Sequence, residues 1–138
     1  MLEVGMDYSS ELRDILRRLP DLYRSGDISG YLTHYASDMS ANYSGILMSS
    51  EEACKFITSL FEGGGESLDF QMGDPQFMFS ESTDAALVRY PWRERFRSNV
   101  GLETDIEYYE TDFWLRRNGD WKIVQVHQST TKEHPIVS

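Results

Sequence analysis

Residues 110–129 read ETDFWLRRNGDWKIVQVHQS, and this stretch predicts two strands joined by a tight turn. Asn118 and Gly119 favour a two-residue type I′ turn, because both central positions of that turn need positive φ. On either side of the turn, apolar residues alternate with polar ones in the period of two that is typical of a strand. The stretch therefore predicts a β-hairpin with strands over about 103–117 and 120–131.

The turn also predicts which side chains share a face of the hairpin. If the residues that flank the turn oppose each other, the register pairs Asp112 with Gln125 and Glu110 with His127. Paired side chains project to the same side, about 5 Å apart at Cβ. One face is then expected to carry Tyr108, Glu110, Asp112, Trp114, Trp121, Ile123, Gln125, His127 and Ser129. The other face is expected to carry Tyr109, Thr111, Phe113, Leu115, Val124 and Val126.

The preceding segment, residues 85–97, has the same period of two. Its odd positions include four arginines, Arg89, Arg93, Arg95 and Arg97, whereas its even positions are Val88, Tyr90, Trp92, Glu94 and Phe96. We expect the arginine side to face solvent and the aromatic side to be covered by helices. Glu94 is then the single acid in an apolar row. Pro91 has no N–H to donate, which predicts an edge position or a bulge.

The N-terminal half follows a helical period. Apolar residues recur every three or four positions up to about Phe61, which predicts three helices. The first is expected over about 9–24, with a kink or a break at Pro20. The second is short and includes Tyr35, and the third begins after a cap at Ser49. Helices followed by strands predict an α+β fold with the helices on one face of a curved sheet.

Length, composition and charge narrow the function classes. The chain has 138 residues, which fits a single domain over 1–138, and 13 Lys+Arg against 23 Asp+Glu give a net charge of −10. This balance argues against nucleic acids and anionic membranes as partners. The single cysteine, Cys54, excludes a disulfide framework and a Cys-rich zinc site. The first ten residues do not resemble a secretory signal, and no apolar stretch is long enough to span a bilayer, so we expect a soluble, cytoplasmic protein.

Glu110, Asp112 and His127 form the sharpest candidate catalytic group. A carboxylate on the same sheet face could orient the histidine or share a proton with it, and an apolar surrounding favours carboxyl chemistry near neutrality. The alternative is that His127 is an interior polar group bonded to Glu110 or to a backbone carbonyl. A metal site is not expected, since nothing in the pattern shows three converging ligands. No phosphate-binding loop or dinucleotide motif is present, so no cofactor is expected.

Aromatic and polar residues around this group are expected to bind a small apolar substrate. The candidate substrate-binding residues are Tyr43, Tyr90, Trp92, Glu94, Tyr108, Trp114 and Gln125. For each aromatic residue the alternative is simple core packing. For Glu94 the alternative is a solvated position at the mouth of the pocket.

The run from Glu110 to Ser129 resembles the nuclear transport factor 2-like superfamily, in its SnoaL-like branch. Its elements Glu-Thr-x-x-Trp, Arg-Arg-x-Gly-x-Trp and His-x-Ser are similar to those of the association domain of calcium/calmodulin-dependent protein kinase II. The resemblance implies a cone in which a strongly curved antiparallel or mixed sheet wraps three helices around a pocket. It also implies dimerisation through the convex face. Where the kinase domain has pocket arginines, this chain has Trp92 and Asp112, so an anion-binding pocket is not implied.

Two functions follow from these features. The first is a cofactor-independent isomerase, cyclase or dehydratase, with Asp112 or Glu110 as the base and His127 as the acid or orienting group. The second is a non-catalytic dimeric domain that binds a ligand or mediates association. An apolar convex face would favour a homodimer, unless the C-terminal tail, 131–138, covers that face.

Overall fold

The computed structural model describes residues 7–135, with the side chains of residues 7–133. The three helices are α1 (Ser9–Arg24), α2 (Ile28–Leu32) and α3 (Ser50–Phe61). The seven strands are β1 (Tyr35–Tyr43), β2 (Ile46–Ser49), β3 (Glu66–Met72), β4 (Gln76–Phe79), β5 (Ala85–Arg97), β6 (Glu103–Arg117) and β7 (Asp120–Pro135). The predicted α+β class is confirmed.

Helix α1 is held by its buried face. Leu12, Leu16 and Leu19 are buried at helical spacing. At Pro20, where the sequence predicted a kink or a break, the helix is not broken. A proline inside a helix costs about 3 kcal/mol, and burial of three leucines at about 2 kcal/mol each outweighs that cost. Helix α3 begins as predicted, with a capping box in which Ser49 and Glu52 each bond the other's backbone N–H.

The strands form one curved, mixed sheet. Its order is β2-β1-β7-β6-β5-β3, with β4 also paired to β5. Strand β1 runs parallel to β7, and the other pairs are antiparallel. The sequence did not predict β1 and β2, and it placed Tyr35 on a helix. Tyr35 is instead the first residue of β1.

The β6–β7 hairpin has the predicted turn but only part of the predicted register. Asn118 and Gly119 have φ of 52° and 84°, and the predicted pairing holds from the turn to Trp114 and Ile123. A bulge follows, so that Phe113 pairs with Gln125. The predicted register is therefore wrong beyond Ile123, because one extra residue on β7 exchanges the two faces of that strand.

The bulge changes which residues of β7 face inward. Asp112 now pairs with Val126 and Glu110 with Gln128, whereas His127 pairs with Thr111. Val126, predicted for the outer face, is 1% exposed in the core. Gln125 and His127, predicted for the inner face, are both exposed.

Strand β5 alternates as predicted. Arg89, Arg93 and Arg95 are exposed, whereas Tyr90 and Glu94 are buried. Pro91 lies between the segments of β5 that pair with β4 and β3, so it is in a local edge position on that side, whereas its pairing with Tyr109 of β6 shows no bulge.

The C-terminal tail belongs to the sheet as far as the structure describes it. Lys132 pairs with Glu107, and the pairing of β7 with β6 continues to Pro135. This part of the tail does not cover the outer face, and residues 136–138 lie outside the described residues. Residues 1–6, part of the segment compared with a secretory signal, also lie outside them. In the described part of the chain, no helix has the length and apolar character needed to cross a membrane.

Candidate functional site

A cavity of about 390 Å³ lies between the inner face of the sheet and the helices. Ten of its twenty lining residues are aromatic: Tyr23, Tyr31, Tyr35, Tyr43, Phe56, Phe70, Tyr90, Trp92, Phe96 and Tyr108. Two carboxyl groups, those of Glu94 and Glu110, are the only acids among the lining residues that the structure describes. The site is therefore an apolar, aromatic chamber with two acids in its wall.

Three alternate rungs of the β5–β6 ladder, those whose side chains point inward, form the floor of the cavity. Tyr90 pairs with Glu110, Trp92 with Tyr108, and Glu94 with Ile106. The rings of Trp92 and Tyr108 stack, with centroids 4.0 Å apart and planes 26° apart. At about 3.3 Å per residue, the backbones of the first and third rungs are about 13 Å apart. The two acids therefore lie at opposite ends of a stacked aromatic pair.

Tyr90 bridges two buried carboxyl groups at the first rung. Its hydroxyl donates to Glu110 Oε2 and lies 3.0 Å from Asp112 Oδ2. Glu110 Oε1 accepts from Trp92 Nε1 at 3.3 Å and from Gln128 Nε2 at 3.1 Å. All three donors are neutral, so they fix the Glu110 carboxyl without neutralising its charge.

Asp112 lies beneath this first rung and does not line the cavity. The residue is 0% exposed, and its Oδ1 atom has no hydrogen-bond partner among the described residues. Burial, followed by the neighbouring Glu110 carboxyl, raises the pKa of Asp112 well above its ordinary range. The protonated form of Asp112 is thereby favoured, and in that form it can donate to Tyr90 while Tyr90 donates to Glu110.

Glu94 is the acid of the third rung. It is 5% exposed, and its carboxyl accepts from Ser67 Oγ at 2.8 Å and from Tyr23 Oη at 3.3 Å. Burial raises the pKa of Glu94 from its ordinary 4.5 to about 7, against the opposite effect of both hydrogen bonds. The interpretation that water solvates Glu94 at the mouth is therefore wrong. A carboxyl with this pKa can both accept and return a proton near neutrality.

Phenol groups line the cavity both from helix α2 and from strands β1 and β6. Burial raises the pKa of Tyr31 and Tyr35 well above the ordinary value, and it raises that of Tyr108 to about 12. The Tyr43 hydroxyl oxygen is buried and makes no hydrogen bond of ordinary geometry with the described residues. These hydroxyls therefore stay protonated near neutral pH.

The cavity opens between the β1–β2 turn, α3 and β7. Ile46 is 61% exposed and Phe56 is 44% exposed, although both line the cavity. On the β7 side of the opening, the hydroxyls of Ser44 and Thr130 are hydrogen-bonded to each other, with Oγ and Oγ1 3.1 Å apart. The rim is thus apolar on one side and hydroxylic on the other.

The structure brings together six of the predicted site residues. Tyr43, Tyr90, Trp92, Glu94, Tyr108 and Glu110 line one cavity. Trp114 is 0% exposed in the core and does not line it. His127 and Gln125 lie on the outer face because of the bulge, so the predicted Glu110–Asp112–His127 group does not form.

Sequence reasoning missed Gln128 and Tyr23, and it could not orient Tyr31 and Tyr35 toward the cavity. Gln128 takes the place next to Glu110 that was predicted for His127. A sequence pattern that allowed one extra residue in β7 would have placed Gln128 on the inner face. The positions of the tyrosines can be known only from the tertiary structure.

Metal ligands do not converge in the described part of the chain. No three His, Cys, Asp or Glu side chains among the described residues are placed to hold an ion together.

The sequence of the chain is similar to that of a known protein family. The model of the calcium/calmodulin-dependent protein kinase II association domain family matches residues 9–132. The chain belongs to this family. A comparison with curated protein sequences gives no match.

Solved structures share the fold at low sequence identity. A nuclear transport factor 2-like protein from Cytophaga hutchinsonii is 15% identical, with a TM-score of 0.69 over 90% of this chain and 98% of that one. A type 2 hexachlorocyclohexane dehydrochlorinase is 12% identical, with a TM-score of 0.75 over 94% and 89%. A ketosteroid isomerase-like protein from Erwinia carotovora atroseptica is 18% identical, with a TM-score of 0.71 over 87% and 93%. The fold is thus the nuclear transport factor 2-like cone, which carries some enzymes.

Proposed function

We propose that this association-domain relative is a cofactor-independent enzyme that moves protons on a small, largely apolar substrate. The reaction would be that of an isomerase, a cyclase or a dehydratase. The observation that supports this most is Glu94, a buried carboxyl in the wall of an aromatic cavity with a pKa of about 7. Burial of an acid costs free energy, and a catalytic role gives that cost a reason.

Glu94 is the proposed general acid–base residue. Its two hydrogen-bond donors, Ser67 and Tyr23, hold the carboxyl in one orientation. As a carboxylate it would take a proton from a carbon or hydroxyl of the substrate, and as a carboxylic acid it would return that proton to another atom. Such transfer contributes about 10²–10⁴-fold in rate.

Glu110 is the proposed second polar contact, at the other end of the stacked Trp92–Tyr108 pair. A substrate that lies along that pair would place a hydroxyl against Glu110 while its reactive atom faces Glu94. Asp112 does not reach the cavity, so we assign it a positioning role that acts through the hydroxyl of Tyr90. His127 has no role in this proposal, because its side chain is exposed on the outer face.

Exchange of substrate hydrogen with deuterated water tests the proposal without knowledge of the natural substrate. A panel of aryl ketones and hydroxyaryl ketones is incubated with the protein in D₂O, and deuterium uptake is followed by mass spectrometry. We expect faster uptake than in buffer for part of the panel, and a loss of roughly 100-fold in Glu94→Gln. Failure of every compound to exchange above the buffer rate contradicts the proposal.

Two matched variants control this experiment. Glu103→Gln removes an acid of β6 that pairs with Arg95 and does not line the cavity, and we expect it to leave exchange unchanged. His127→Ala removes the histidine that the sequence pattern favoured, and we expect the same result. Equal rates in Glu94→Gln and the wild type, with the fold verified by circular dichroism, would refute the role of Glu94.

A second candidate function is a non-catalytic dimeric association domain. Membership of the association domain family supports it, as do the apolar residues on the outer face of β5 and β6. Leu87 is 39% exposed and Tyr109 is 43% exposed there. If association is the function, light scattering will give a dimer that Tyr109→Glu dissociates, and no panel compound will exchange.

A further inference from the structure

We infer that the cavity binds an organic cation, such as a substituted ammonium carried on an aromatic or aliphatic body. This inference rests on the site of the proposed function and names the class of its ligand. It follows from three features that the cavity combines: uncompensated acids, aromatic walls and a lack of basic groups.

Both acids in the wall lack a positive partner. Glu94 is bonded to Ser67 and Tyr23, and the donors to Glu110 are likewise neutral. No Lys, Arg or His occurs among the cavity-lining residues that the structure describes. A buried carboxylate with only neutral donors gains from a cation, because the low dielectric strengthens their attraction.

The aromatic walls favour the same ligand. A cation within about 6 Å of the face of a tryptophan or tyrosine ring is attracted by the ring quadrupole, most strongly where water is excluded. Trp92 and Tyr108 lie between the two acids on the floor, Tyr23 of α1 and Tyr31 of α2 line the cavity from the helices, and Tyr35 lines it from β1. An ammonium group beside Glu94 or Glu110 would therefore contact both a carboxylate and an aromatic ring.

A neutral or anionic ligand fits these features less well. A neutral ligand would leave each acid either protonated or charged without a counter-ion. An anion would meet two carboxyls and no basic side chain among the described lining residues. The ligand class thus differs from that of a pocket lined by arginines.

Two isosteric probes isolate the effect of charge. The compound meta-(hydroxymethyl)phenyltrimethylammonium and the alcohol meta-tert-butylbenzyl alcohol have the same shape and the same non-titrating hydroxyl, and only the first carries a positive charge. Isothermal titration calorimetry at about pH 8, above the pKa of Glu94, measures both affinities. We expect the cation to bind at least about tenfold tighter, in line with a cation–π contact plus one carboxylate.

Proton release gives an independent readout. The titratable groups that face Glu94 are Tyr23 from α1 and Tyr108 from β6, while Ser67 from β3 does not titrate. Burial raises the pKa of both tyrosines, so Glu94 is the group of this set that titrates near neutrality. At about pH 6.5, a bound cation should therefore displace a proton from Glu94. Calorimetry in two buffers of different ionisation enthalpy should detect that proton for the cation and not for the neutral alcohol.

The variants separate the two proposals. We expect Glu94→Gln to lose both the proton release and about tenfold in cation affinity, whereas Glu103→Gln keeps both. Equal affinity for the two probes in the wild-type protein would refute the cation site, even if neutral ketones exchange deuterium. Tight, selective cation binding without any exchange would refute the proposed enzyme and leave the cation site intact.

Discussion

Both faces of strands β5 and β6 carry acidic residues, but in the part of the chain that the structure describes the acids of the outer face are paired with basic side chains and those of the inner face are buried without a basic partner. On the outer face, Arg93 donates to Asp105 at 3.0 Å and Arg95 pairs with Glu103 at 3.5 Å. On the inner face, Glu94 and Glu110 receive hydrogen bonds from neutral groups alone among the described residues. Adjacent positions of one strand thus hold a paired, solvated charge and an unpaired, buried one. Burial of unpaired carboxyls lowers the stability of the folded state, so stability alone does not explain the two acids on the inner face.

The strongest test of this comparison contrasts a buried and an exposed aromatic residue of β6. We expect Trp114→Ala to lower the free energy of unfolding by about 3–5 kcal/mol, because it opens a cavity in the core. Tyr109→Ala, on the outer face and 43% exposed, should cost less than about 1 kcal/mol. Urea denaturation of both variants measures the difference. If Trp114→Ala does not fold, Trp114→Phe gives the same ranking with a smaller loss, and equal losses would contradict the assignment of Trp114 to the core.

The next largest effect is the pH dependence of the unfolding free energy that the buried Glu94 causes. Folded Glu94 keeps its proton up to about pH 7, whereas in the unfolded chain it ionises near 4.5. Between these values unfolding releases a proton, so stability falls as the pH rises through that window, by about 3 kcal/mol at most. Unfolding free energies measured at several pH values should therefore show a smaller decline in Glu94→Gln than in the wild type. A decline of the same size in both proteins would disprove the assignment, and Glu103→Gln serves as the outer-face control.

The smallest effect belongs to the outer face. Arg93→Ala removes an exposed pair with Asp105, and such pairs contribute about 0.2–1 kcal/mol. We expect a loss in this range that shrinks in high salt, because ions screen exposed charges. Thermal unfolding at low and high salt measures it. If Arg93→Ala loses more than about 2 kcal/mol of unfolding free energy, or if salt does not change the loss, the outer-face pair is not a weak, solvent-screened one.

Local chemistry made several elements predictable. Asn118 and Gly119 adopt positive φ readily, so the turn between β6 and β7 was predicted correctly. The alternation of arginines and apolar residues placed Glu94 on the inner face, because side chains of a strand point alternately to opposite sides. The cap of α3 was equally local, since Ser49 and Glu52 satisfy each other's backbone groups.

The bulge in β7 is what the sequence pattern could not reveal. Ile123 and Val126 are 3% and 1% exposed, and residues three apart can both point inward only if one extra residue lies between them. Val124 is apolar too, so strict alternation described the segment nearly as well. The candidate site changed as a result, because Gln128 replaced His127 beside Glu110. Strand β1 was missed for a similar reason, since its pairing with β7 is a long-range contact of a segment rich in small and polar residues.

The sequence by itself determined the hairpin turn, the helix cap and the alternation that turns Glu94 and Glu110 away from the arginines. Those features depend on residues within a few positions of each other, whose backbone preferences and side-chain directions are intrinsic. Only the tertiary structure decided that both acids line one aromatic cavity, that Asp112 lies beneath it and that His127 is outside. These placements depend on the register across the bulge and on helices that approach from distant parts of the chain, and burial of the whole core selects that arrangement.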